Sequence, residues 1–187
     1  MWPVALCGQS QDLRRRPVVA AVTAALLSIS TTAAVAESGL SLPAPTGSIA
    51  VGRSTLALTD RSRTDPWVPE AGPRRLMVTM YYPAVRGTGH KASYMDTDEA
   101  AALVDFAQFG AKFTTEKLAG TRTWSRTNAL PLPGRRPLVL LSPGYMVPRH
   151  TLTALGEDLA SRGYVVAAVD HAFEAVGAKF PGGVLPC

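Results

Sequence analysis

Seven positions in LVLLSPGYMVPRH (138–150) and in the later Asp-His pair carry groups that could do chemistry: Ser142, Gly144, Tyr145, Met146, His150, Asp170 and His171. Four aliphatic residues run straight into Ser-Pro-Gly. Gly144 has backbone angles open to it that other residues avoid. A turn there can aim the N–H groups of Tyr145 and Met146 outward. Unpaired amides of this kind stabilise the oxyanion that builds on a carbonyl during acyl transfer. Spacing alone equally fits an ordinary strand-to-helix connection. Ser142, with His150 or His171 and Asp170, also supplies the residue types of a nucleophile, a base and an acid. Pro143 removes an amide that would serve the oxyanion, and a helix separates Ser142 from His171, so no triad is expected from this set. His150 is expected on the surface, in the first turn of that helix. Asp170 and His171 close a strand, either as lining and positioning residues or as a satisfied loop pair. His90 falls in a loop. No metal-ligand spacing connects the three histidines, and no cofactor is expected.

The elements that must position these groups follow from periodicity. Leu138–Leu141 is an unalternating aliphatic run between Pro137 and Pro143, which reads as a strand buried on both faces. Leu152, Leu155 and Leu159 trace one helix face, and Gly163 supplies a left-handed stop. YVVAAV (164–169) is a second apolar run. Strand, helix and strand within about 30 residues make a βαβ unit with parallel strands. The expected class is α/β, a mostly parallel open sheet with helices on both faces and its site beyond the strands' carboxyl ends.

Upstream, Ile49, Val51, Leu56 and Leu58 alternate with small polar residues as one or two short strands, and TDRSRTDPWVPEAGPRR (59–75) reads as a loop. RLMVTMYY (75–82) is a strand closed by Pro83. Residues 86 to 95 form a loop. Asp96-Thr97-Asp98-Glu99 opens a helix with a capping pattern and acids in its first turn. Its apolar stripe, Leu103, Phe106, Ala107 and Gly110, faces the core, or else touches a membrane or gates a substrate. Residues 113 to 136 read as irregular.

Of the 187 residues, the first 36 have the form of a signal peptide: Arg14, Arg15 and Arg16, then an apolar run from Pro17, then Ala34-Val35-Ala36. The apolar run is short for a membrane span, though an uncleaved anchor over residues 17 to 36 is the competing reading. Residues 37 to 46 read as a flexible leader and 47 to 187 as the folded domain, outside the cytoplasm. The formal net charge of +5 falls to +3 without the first 36 residues. No basic run with interleaved aromatics remains, so nucleic acid is not an expected partner. Cys7 precedes the apolar run. Cys187 has no second cysteine to pair with in the mature chain.

SPGYMVPRHTLTALGEDLASRGYVVAAVDH (142–171) resembles the corresponding segment of platelet-activating-factor acetylhydrolase-like proteins, the secreted lipase branch of the α/β-hydrolases. DPWVP (65–69), MVTMYYPA (77–84), SYM (93–95) and KFPGG (179–183) follow in the same order, over roughly residues 45 to 187. The resemblance implies a partial α/β-hydrolase fold, a lipid or other acyl ester as substrate, and peripheral contact with a membrane or lipid surface. It also makes the backbone N–H of Tyr145 an oxyanion donor. The family often has His-Gly where this chain has Pro143-Gly144.

Ester hydrolysis in that family uses a serine on a G-x-S-x-G elbow, then an acid, then a histidine. No G-x-S-x-G occurs in the sequence; Gly52-Arg53-Ser54 lacks the second glycine. The sequence therefore reads as the N-terminal portion of an esterase, ending before the strand that carries the nucleophile and inactive by itself. The alternative is a non-catalytic secreted module that binds lipid or ester.

Overall fold

The computed structural model describes residues 39–109 and 112–185. The signal-peptide reading of residues 1 to 36, together with Cys7, Gly110 and Cys187, lies outside them. Among the described residues, β1 (Ala50–Thr64), β2 (Pro73–Ala84), β3 (His90–Ser93), β4 (Arg122–Thr127), β5 (Leu138–Leu141) and β6 (Val165–His171) form one sheet in the order β3-β4-β1-β2-β6-β5. Pairing is parallel at β1–β4 and β5–β6 and antiparallel at the other three contacts. Three helices, α1 (Thr97–Ala107), α2 (Thr115–Ala119) and α3 (Thr153–Ser161), flank the sheet, and β7 (Lys179–Phe180) with β8 (Gly183–Val184) makes a separate ribbon.

The βαβ unit stands as the periodicity implies. β5 and β6 run parallel, from Leu138↔Val165 to Leu141↔Ala168, with α3 between them in sequence. Gly163 takes φ 108° just past α3, a left-handed angle that glycine reaches without a Cβ clash. α3 covers one face of the sheet. Val51, Tyr81, Val166 and Ala168 are buried there against Ala160, with Val139, Leu141 and Leu159 around them.

The opposite face of β5 is open. Leu138 is 58% exposed and Leu140 71%. An aliphatic run shows apolarity but not position, and β5 lies at the end of the strand order, so the expected burial on both faces is not met.

Three other expectations change. β1 is one long strand that runs on through Thr59–Thr64, the first six residues of the expected loop, because pairing with β2 continues to Asp60↔Arg74 and then, past an irregularity, Thr64↔Pro73. The loop shrinks to residues 65 to 72. Backbone bonding to a neighbouring strand holds these residues extended even where their side chains are polar. Residues 113 to 136, read as irregular, contain α2 and β4. The fixing group is Glu157 of α3, fully buried, whose carboxylate accepts from the amides of Trp124 (3.0 Å) and Ser125 (2.8 Å). His90 lies in edge strand β3, opposite Thr127, rather than in a loop.

Residues 40 to 46 are hydrogen-bonded to the rest of the described domain. Leu42 and Arg122 exchange backbone bonds with Arg122 and Leu40 at 3.0 and 2.8 Å, and the Thr46 amide donates to Asp158 at 2.7 Å.

α1 starts as its sequence dictates, with the Asp96 side chain and Glu99 forming a reciprocal capping box. Ala100, Leu103 and Val104 pack with Met95 and Leu118, whereas Phe106 stays half-exposed.

Candidate active site: the oxyanion turn and its surroundings

β5 ends at Leu141, and residues 142 to 147 follow as a turn closed by a bond from the Val147 amide to the Gly144 carbonyl (3.1 Å). Tyr145 and Met146 are its two central residues. Met146 takes φ 64°, the left-handed angle that a type II turn places at its third position. Gly144 does not have a positive φ, and a Cβ built there would meet only Val147 Cγ2, at 4.0 Å. The expectation that Gly144 supplies the special backbone angle is thus corrected: Met146 supplies it.

The amides differ in the same way. The Met146 N–H donates to the Glu174 carbonyl at 2.8 Å, so Met146 is not a second free donor. The bond follows from its place beside Ala175, with which it forms an isolated parallel bridge. The Tyr145 N–H meets no acceptor among the described residues. That is the ordinary fate of the second residue in a β-turn, whose amide points away from the closing bond. The Tyr145 side chain is 63% exposed and lies against Trp67, ring centroids 6.0 Å apart. Beside Met146 an apolar cleft of about 230 Å³ is lined by Ala102, Phe106, Val176 and Leu185.

Ser142 and His171, separated in the chain by α3, come together: Ser142 Oγ is 3.2 Å from His171 Nε2. Parallel neighbours bring their carboxyl ends to the same edge, and α3 simply arches between them. The pair is not a nucleophile and its base. His171 Nδ1 lies 2.9 Å from Arg74 Nη2. A guanidinium can only donate, so Nδ1 is the acceptor and the ring proton sits on Nε2. His171 therefore donates to Ser142 and has no lone pair with which to take the hydroxyl proton.

Asp170 cannot orient His171, because consecutive strand residues face opposite ways. It is completely buried on the α3 side, where it accepts from the Arg149 backbone amide and side chain. Arg149 also donates to Thr79 Oγ1 (2.9 Å) and to Glu99 Oε1 (3.0 Å). His150 is buried as well, against the surface expectation, with Nε2 3.3 Å from Glu99 Oε2. Burial alone would raise the Glu99 pKa; hydrogen bonding and charge from His150, the Arg149 charge and the Asp96 amide outweigh it and hold the carboxyl at about 2. Burial pushes the His150 ring down from its ordinary value, against the pull of Glu99 and with the help of Arg149.

Sequence reasoning missed this five-residue network. The signal available was an Arg-His pair directly following the turn and a glutamate at the third position of α1. A cleft of about 620 Å³ borders the network, lined by Arg53, Met77, Met95, Lys179 and Phe180. No residue of the 142–147 turn lines it. Among the described residues no group of three His, Cys, Asp or Glu side chains is placed to hold a metal ion.

Sheet order, the parallel β5–β6 pair and the turn at its carboxyl edge resemble a partial α/β-hydrolase fold. The chain belongs to the family of platelet-activating factor acetylhydrolase, isoform II, whose sequence pattern matches residues 34–179. A solved structure, the ferulic acid esterase from Streptomyces cinnamoneus, is similar at 47% identity and a TM-score of 0.71. The match covers 80% of this chain but 41% of that one, so the chain spans less than half the length of this relative. No protein of curated function matches the chain.

Proposed function

We propose that this chain supplies the oxyanion-binding front part of a secreted serine ester hydrolase acting on lipid or other acyl esters. The observation that carries the reading is the Tyr145 amide, without an acceptor among the described residues, at the carboxyl end of β5. Developing negative charge on a carbonyl oxygen would be met there by a donor that needs no rearrangement. The apolar cleft beside Met146 and the exposed Trp67–Tyr145 pair suit the apolar part of such an ester. The family match, the esterase neighbour and the signal-like first 36 residues support the same reading. The nucleophile, acid and base would come from sequence beyond residue 187, with the next strand pairing along the free edge of β5.

The tautomer at His171 favours a second reading for the chain by itself: a module that binds ester or lipid without cleaving it. Turnover of p-nitrophenyl butyrate by the full chain is expected to equal the uncatalysed rate. Measurable turnover abolished by Ser142→Ala would overturn the assignment of the triad to other sequence. The longer reading frame is expected to encode G-x-S-x-G within about a hundred residues. In that longer protein, Tyr145→Pro, which deletes the amide, should lower kcat by about 10²–10³. An unchanged kcat would end the oxyanion assignment.

A further inference from the structure

The turn is held at both ends by one polar ring that the reaction itself does not use. At its start, Ser142 Oγ accepts from His171 Nε2 at 3.2 Å. At its end, the Met146 amide donates to the Glu174 carbonyl at 2.8 Å. His171 and Glu174 are joined in turn by Arg74. A single nitrogen, Nη2, lies 2.9 Å from His171 Nδ1 and 2.9 Å from Glu174 Oε1, one hydrogen for each. Arg74 and Glu174 are mostly shielded from solvent, with side-chain exposures of 19% and 22%. The segment between the anchors is itself fixed, since the amides of Glu174 and Ala175 both donate to the His171 carbonyl, at 3.3 and 3.2 Å. Arg74 is anchored by β2, and the Ala172 amide donates to the neighbouring Arg75 carbonyl at 3.1 Å.

We propose that Arg74, His171 and Glu174 are positioning residues that clamp the Ser142–Met146 turn from both ends and so fix the direction of the Tyr145 amide. The role rests on the oxyanion reading of Tyr145. Arg74 has two tasks. It imposes the Nε2–H tautomer, without which the Ser142 contact loses its donor, and it holds the Glu174 side chain beside the carbonyl that receives Met146. Met146 needs such support because its left-handed angle crowds the Cβ of a non-glycine residue against the backbone. A donor aimed at an oxyanion is useful only if it is aimed beforehand, and the ring gives the turn no freedom at either end.

The test needs no substrate, so failure of the clamp and failure of the hydrolase reading are separate outcomes. In the uniformly 15N-labelled full chain at mildly alkaline pH, His171 should show an unprotonated Nδ1 and a protonated Nε2. The reverse tautomer overturns the proposal. Arg74→Met should mix the two tautomers and speed hydrogen exchange of the Met146 amide by roughly tenfold, the size of one lost hydrogen bond. Exchange of the Ala167 amide, in the middle of β6, serves as the control for folding. Arg74→Lys, also a pure donor, should restore the tautomer and most of the protection. Glu174→Gln should leave the tautomer intact while loosening Met146. If Arg74→Met changes neither signal, or changes Ala167 equally, Arg74 does not clamp the turn.

Discussion

Glu99 and Arg149, fifty residues apart in the chain, are joined by a buried 3.0 Å ion pair that ties α1 to the segment leading into α3. Glu99 also caps its own helix, so one side chain closes a helix end and neutralises an interior cation. Arg149→Met would leave Glu99 and Asp170 buried without their counter-charge. The expected loss is about 3–5 kcal/mol of unfolding free energy, with Arg149→Lys recovering part of it. Urea unfolding of the two variants checks this, and a loss below about 1 kcal/mol for the methionine variant would sink it.

The same cluster makes the fold sensitive to acid. His150 in the folded chain resists protonation, so below its ordinary pKa of 6.5 the unfolded chain binds a proton that the folded one refuses. Glu99 behaves alike between its ordinary 4.5 and about 2. In both ranges the unfolded state holds more protons, so stability falls as the pH falls. The Glu99 share amounts to at most about 3 kcal/mol, present above pH 4.5 and gone near 2. Unfolding free energies measured from pH 8 to 3 should decline, and His150→Gln should flatten the upper part of the curve. A flat profile for the parent chain would contradict the assignment.

Gly156 lies against the ring of Tyr81. A Cβ at 156 would come within 2.6 Å of Tyr81 Cδ2, and that ring is almost fully buried and held by a 2.9 Å bond to Thr153 Oγ1. Gly156→Ala is therefore expected to cost about 1–3 kcal/mol through overpacking, despite the better helix propensity of alanine. Adding Tyr81→Leu should reduce the penalty of the alanine. Thermal melts of the single and double variants decide the matter; a stabilised Gly156→Ala would refute it.

The open face and edge of β5 should govern solubility. Leu138 and Leu140 stand exposed on a terminal strand whose outer N–H and C=O groups have no neighbour among the described residues. Such edges recruit other chains. Leu140→Lys is expected to lower self-association, read by light scattering, while leaving the melting temperature within a degree or two, as for other exposed positions. Equal association of variant and parent would mean that another surface is responsible.

How much of this was legible in the sequence depended on whether a residue's neighbours are near in the chain. The βαβ unit, the capping box of α1 and the stop at Gly163 depend on local spacing, and all three stand in the structure. The turn was located correctly, but which of its residues takes the left-handed angle depends on Glu174 catching the Met146 amide. His150 read as polar surface because its partner, Glu99, lies in another helix. Asp170 and His171 read as one pair because they are adjacent, although strand alternation sends them to opposite faces.

The place of the β1–β2 hairpin at the middle of the sheet also sets an order of assembly. Its strands are consecutive in the chain and can pair before either flank exists, and contacts between near neighbours form fastest. β5 must wait for β6, which is made after it. Pulse-labelled exchange should accordingly protect Met77–Tyr81 amides before those of Val139–Leu141. The catalytic-looking turn, leaning on residues up to Glu174, takes shape only when almost the whole described chain is already in place.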